Sequence, residues 1–270
     1  MHGDFARHAA TLAVVLLAAS AGPAAAAGAS YGGGPVMLGA NHVYYIWYGD
    51  WSSTATPAIL DDMAEHIGGS PYWGIETTYY EIVGGVKKFV SNSLTLGGEH
   101  FDSYSHGKVL SDALVLAVVE KAIADQLPLD ANGIYFVLGS ADVKESSGFC
   151  SAYCGWRDHV TYQGTDIKYA FVGNPDACPS ACEPGPGHSP NGDPAADAMA
   201  STIVHLLDET VIDPDLNAWI CQPGIDCADK CGAGPTFTCN GALADVTWGT
   251  RCYFVGENWK NAGAGSCAMH

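Results

Sequence analysis

The chain is poor in positive charge. Its 270 residues carry 11 Lys and Arg against 29 Asp and Glu, for a formal net charge of −18. Between Tyr169 and Asp229 there is no Lys or Arg at all, although that stretch holds ten acidic residues. Nucleic acid, heparin-like chains and anionic membranes would find no basic patch to meet, so these partner classes are excluded. The bland reading of the acid is solubility; the sharper one is affinity for a cation. No cysteine precedes Cys150 and no CxxC pair occurs, which argues against a structural zinc knuckle. There is no GxSxG elbow, no Gly-rich phosphate loop after a strand, no EF-hand pattern and no internal repeat. Beyond residue 27 no apolar run is long enough to span a bilayer.

The N-terminus has the form of a secretory leader. Arg7 precedes an apolar run at 11–21, and small residues at 24–27 form an A-x-A site, so residues 1–27 are read as a signal peptide cleaved after Ala27. Ten cysteines in an exported chain read as a disulfide framework of up to five bridges, with the pairing left open by sequence. The expected layout is a Gly/Ala/Ser linker at 28–34 and a single domain at 35–270, Cys-rich from about 219.

Aromatic and β-branched residues at 43–48 predict a buried strand ending at Gly49-Asp50. Pro57 opens a helix to about His66, stopped by Gly68-Gly69. Residues 72–83 read as strand-forming, 109–126 as a helix, and 134–138, 169–172 and 251–255 as short strands. Cys150–Cys154 and Cys178–Cys182 are read as disulfide-pinned loops. Residues 194–211 form the best-defined helix, with Asp193 as N-cap and Pro194 at its first position. The expected fold is α+β: a mixed sheet with packed helices, a zincin-like core and a disulfide-rich C-terminal segment.

One constellation can carry chemistry. On the 194–211 helix, Ala196, Met199, Ala200, Ile203, Leu207 and Val211 form an apolar stripe. His205 and Glu209 lie four apart on the opposite, polar face, with Ser201, Thr202 and Asp208. An imidazole and a carboxylate at this spacing can share a divalent ion, and the segment is a variant of the zincin helix H-E-x-x-[HE]. Asp226 or Asp229 would supply a third ligand. The expected metal set is His205, Glu209 and Asp226, with zinc as the candidate cofactor. Leu206, however, stands where a hydrolytic zincin carries its general base, so catalysis by the usual route should be badly impaired. The alternative is an ordinary solvated pair on a polar face. Acidic neighbours such as Asp61/Asp62 and Asp208/Glu209 point apart on a helix and make poor glycosidase pairs. The clusters Tyr44–Tyr48 and Tyr72-Trp73 could serve as a sugar platform but fit a core better.

Three segments resemble the phosphate-induced, EXORDIUM-like family, known mainly from plants. They are Gly34-Pro-Val-Met-Leu-Gly39 running into Val43-Tyr-Tyr-Ile-Trp-Tyr-Gly49, Val137-Leu-Gly-Ser-Ala-Asp-Val143 leading to Cys150–Cys154, and Tyr169-Ala-Phe-Val-Gly-Asn174 leading to Cys178–Cys182. The resemblance implies a secreted protein of the extracellular space or cell wall, associated with growth and cell expansion and with no settled biochemical activity; with Leu206 in place of the base, efficient catalysis is not expected. The expected partners are wall or matrix components, with no nucleic acid and no membrane. A zinc peptidase-like protein and a carbohydrate-binding wall protein are the alternatives. From Trp219 onward the chain departs from the family pattern.

Overall fold

The six residues Val43-Tyr-Tyr-Ile-Trp-Tyr48 are all buried, on both faces of one strand. Such an unbroken buried run is what a central parallel strand requires. The computed structural model describes residues 28–270 apart from Pro184, Pro186 and Pro223, and the expected leader at 1–27 lies outside them. The central strand is β1 (Asn41–Tyr48), followed by α1 (Thr56–His66), β2 (Leu94–Asp102), α2 (Asp112–Asp125) and β3 (Gly133–Gly139). Then come β4 (Gly155–Tyr162), β5 (Thr165–Val172) and α3 (Pro194–Ile212). The five strands form one sheet in the order β2-β1-β3-β5-β4. β2, β1, β3 and β5 run parallel, and β4 closes one edge antiparallel to β5.

Alternation along β1 divides the core. Val43, Tyr45 and Trp47 face α1 and α3, while Tyr44, Ile46 and Tyr48 face α2. Each such burial contributes on the order of 2 kcal/mol. The Cys-rich segment folds into short hairpins and packs on the α1/α3 side, where Trp219, Trp248, Tyr253 and Trp259 join the same core. The linker expectation at 28–34 meets a strand: Ser30–Tyr31 pairs antiparallel with Trp219 and Ile220. The architecture is thus mixed α and β, with several small sheets around a five-stranded one. All ten cysteines are bridged: Cys150–Cys178, Cys154–Cys182, Cys221–Cys227, Cys231–Cys267 and Cys239–Cys252. Among the described residues no helix is long and apolar enough to cross a membrane.

Two local expectations change. Over 72–83, Trp73–Thr78 is a 3-10 helix, and only Tyr80–Val83 is strand. Thr77 and Thr78 donate their hydroxyls to the carbonyls of Gly74 and Ile75, three residues back, which holds the turn against the β preference of their side chains. The region after Cys154, to which the sequence reading gives no element, holds β4. It turns into β5 through Gln163 and Gly164, both at positive φ (50° and 83°), the tight-turn geometry of a two-residue hairpin.

Helix α3 is as expected at its start, where the Asp193 side chain accepts from Ala196 N at 3.0 Å. Its second face differs. Asp208, Glu209 and Thr210 are buried together with the apolar stripe. β4 lies across this side: a Cβ on Gly155 would fall 2.8 Å from Thr202 and 3.1 Å from Leu206. The face read as solvated is therefore a packed, polar interior surface.

Candidate functional site

His205 and Glu209 sit one turn apart on α3, beneath β4 and beside the segment that follows Gln222. The His205 Nε2 atom is 2.9 Å from Glu209 Oε1 and 3.3 Å from Asp229 Oδ1. Asp229 lies in the 3-10 turn Ala228–Lys230, adjoining the Cys221–Cys227 bridge. Side-chain exposure is 24% for His205, 9% for Glu209 and 25% for Asp229, so the cluster opens to solvent on one side only.

Asp226 goes elsewhere. It accepts from Arg157 Nη2 at 2.8 Å, while Arg157 Nε donates to Glu209 Oε2 at 3.0 Å and Nη1 to the Asp213 carbonyl at 2.9 Å. The acid beside His205 is Asp229, the second of the two that the sequence offered. Arg157, on β4, is the residue that sequence reasoning missed. The available signal was its rarity: it is one of three arginines in an acid-rich chain.

Charge organises the cluster. Burial alone would raise the Glu209 carboxyl, but His205 and Arg157 reverse this and hold it at about 2. Asp226 is pushed up to about 7 by burial, which Arg157 only partly offsets. Burial opposes the charged form of His205, yet Glu209 and Asp229 raise it well above the ordinary imidazole value. Adjacent Asp208 points the other way, into the core, where it accepts from Tyr72 OH at 2.9 Å and burial raises it to about 8.

The donor set fits a divalent metal. Tetrahedral zinc with N and O ligands at about 2.0–2.1 Å needs donors separated by roughly 3.3 Å, close to the two distances observed. His205 Nε2 is buried and makes no hydrogen bond of good geometry, which leaves its in-plane direction open. The base of a hydrolytic site does not fit: Leu206 is buried against β4, and one oxygen of Glu209 is held by the Arg157 guanidinium. A second cluster, His159, Asp166 and Asp215, already encloses a cation, because Lys168 Nζ is 2.8 Å from Asp166 and 3.0 Å from Asp215.

The other sequence candidates are accounted for by packing. All of Tyr44–Tyr48, and Tyr72 and Trp73, are buried, so neither aromatic cluster offers a face to a sugar. Asp62 Oδ2 accepts from Tyr253 OH at 2.9 Å, while Asp61 turns toward Glu99 and is raised to about 7 by burial and that neighbour.

The model of the phosphate-induced protein 1 conserved region matches residues 29–249. The chain belongs to the phosphate-induced protein 1 family. The match runs past Trp219, where a departure from the family pattern was expected. EXORDIUM-like 3 of Arabidopsis thaliana is 30% identical over 271 residues, covering 84% of this chain and 79% of that protein. EXORDIUM-like 5 of the same plant is 34% identical over 214 residues, covering 69% of this chain. The match spans 58% of the length of this second relative. No solved structure matches the chain.

Proposed function

We propose that this family member is exported and works in the extracellular space or cell wall, in growth and cell expansion, by binding wall or matrix components rather than by efficient catalysis. The observation that carries the reading is the cysteine inventory: every cysteine is bridged and none is free, a state that an oxidising compartment maintains and the cytosol does not. Leu206, and the Arg157 hold on Glu209, support binding over hydrolysis. The test is intact-mass and N-terminal analysis of protein expressed from the full sequence in a secreting host. A chain in the medium that begins at Gly28 and carries no free thiol supports the reading; full-length reduced protein retained in the cell overturns it.

The zinc peptidase-like reading keeps one specific observation in its favour, the spacing of the His205, Glu209 and Asp229 donors. The antiparallel edge strand β4, lying along a helix with an HxxxE pattern, supports the accompanying zincin-like view of the core. His205, Glu209 and Asp229 would hold a metal, which would supply Lewis-acid polarisation of a substrate oxygen, with Arg157 fixing the Glu209 carboxylate behind it. Elemental analysis after dialysis separates the cases. Near-stoichiometric zinc lost in His205→Ala supports the metal site, and Leu206→Glu should then create or raise hydrolysis. Absence of metal from both folded proteins overturns it.

A further inference from the structure

A polar cleft of about 300 Å³ opens where the loop entering α3 meets the C-terminal hairpins. Ser189 and Asn191 from that loop, with Asn240, Thr250 and Arg251 from the hairpins, are among the residues that line it. Its volume is at the small end of ligand sites, enough for about one sugar ring.

Arg251 differs from the other described arginine. Arg157 is buried among acids, whereas among the described residues no ion pair or hydrogen bond engages the Arg251 guanidinium. In a chain of net charge −18, a cation lining a cleft without an acidic partner is unusual.

The walls are fixed from several directions. Asn191 Nδ2 donates to the Cys252 carbonyl at 2.8 Å and to Asp197 Oδ1 at 2.5 Å. Asn240 occupies a left-handed turn position (φ 51°) ahead of Gly241 (φ 84°), and its Nδ2 donates to the Pro190 carbonyl at 3.0 Å. The Cys239–Cys252 bridge closes the hairpin, and Leu243 N donates to the Gly187 carbonyl at 2.7 Å. With these amide N–H groups engaged, both asparagines have their side-chain oxygens left as acceptors. Ser189 Oγ likewise donates to Asp197 Oδ2 at 2.8 Å and keeps its acceptor capacity. The cleft is preorganised, so little ordering cost attends binding.

One guanidinium among acceptor oxygens selects its ligand. The cation pairs with a carboxylate, and the acceptors call for hydroxyl donors. Inorganic phosphate would satisfy the cation but brings at most two hydroxyl donors near neutral pH, fewer than a sugar ring offers the asparagine oxygens. We propose that this cleft binds an acidic sugar, with its carboxylate on Arg251 and its hydroxyls on the side-chain oxygens of Asn191 and Asn240. The ligand is either a free uronic acid or a uronate unit of a polysaccharide. The cleft shares no residue with His205, Glu209 and Asp229, so its test is independent of the metal reading.

The experiment titrates galacturonic acid into the mature protein by calorimetry or NMR, beside galactose, acetate, inorganic phosphate and a galacturonate trimer. Galacturonate should bind saturably, with galactose and acetate at least about tenfold weaker. Arg251→Gln should weaken galacturonate by at least about tenfold. Thr250→Glu, at an exposed turn position, should weaken it too by placing a carboxylate in the cleft. Thermal melts establish that both variants fold. A trimer that binds more tightly than the monomer supports a polymer source, and equal affinity supports a free sugar. Unchanged affinity in both folded variants, no saturable binding of monomer or trimer to the native protein, or tighter binding of phosphate than of galacturonate would overturn the proposal.

Discussion

Arg157 Nε donates to Glu209 Oε2 at 3.0 Å, linking the edge strand β4 to helix α3 through a contact that is almost wholly buried. The same guanidinium reaches Asp226 and the Asp213 carbonyl, so one side chain from the sheet gathers the end of α3 and the Cys-rich segment. This connection ties the candidate site to stability.

Replacing Arg157 by Ala leaves Asp226 buried without its cation and Glu209 with His205 alone. Breaking a buried pair in this way costs about 3–5 kcal/mol. Urea unfolding of Arg157→Ala should show a loss of that size, with Arg157→Lys intermediate because an ammonium cannot reproduce the planar three-way contact. Wild-type stability in the alanine variant would contradict the role given to the network.

Stability should also depend on pH, with a definite sign. Burial raises Asp208 to about 8 and Asp226 to about 7. Their unfolded values lie near 3.9, so between about pH 4 and 8 the folded chain holds protons that the unfolded chain releases. Stability from these groups is complete at the acid end and is lost as pH rises through that window. Glu209, held at about 2, has the opposite sign: its contribution is present above about 4.3 and disappears as pH falls toward 2. Metal-free protein should therefore unfold at a lower urea concentration at pH 8 than at pH 5. Asp208→Asn should narrow the gap; identical midpoints for the native protein would rule the account out.

Much of the frame was legible in the sequence, and the exceptions have physical causes. Residues 43–48 announce a strand because every one of them is large and apolar enough to be buried on either face. Asp193 and Pro194 mark the start of α3 through local chemistry alone. β4 escaped because an edge strand is only half buried and Trp156-Arg-Asp-His-Val-Thr-Tyr162 mixes polar and apolar residues. The polar side of α3 was misjudged for a related reason. Helical spacing places His205 and Glu209 on one face, but only tertiary structure shows that β4 and the Cys-rich segment cover it. The choice between Asp226 and Asp229 depends on Arg157, more than fifty residues upstream of Glu209, and no local pattern records that contact.

Gly155 marks where β4 and α3 meet, and a Cβ there would also lie 2.8 Å from the Phe171 carbonyl. Gly155→Ala forces the strand and helix apart and should cost about 1–3 kcal/mol, the usual cost of overpacking. Thermal or urea unfolding measures it. A neutral outcome would mean that this contact is looser than described.

The Cys231–Cys267 bridge closes the longest loop of the five, with a sequence separation of 36. Replacing both cysteines by Ser should destabilise the chain by about 3–4 kcal/mol on loop-closure grounds. The comparison is made by unfolding under non-reducing conditions. A loss near zero would indicate that the hairpins of the segment hold without the covalent link.

The position of the bridges bears on biosynthesis. Every cysteine lies at or after Cys150, and no bridge spans more than 36 residues. Strands β1, β2 and β3 and the helices between them therefore emerge from the ribosome before the first thiol. No thiol is present to mispair while these N-terminal segments are being made. Oxidation begins only when the template for the last two sheet strands has already been made, and each thiol then finds its partner among residues translated within seconds of it.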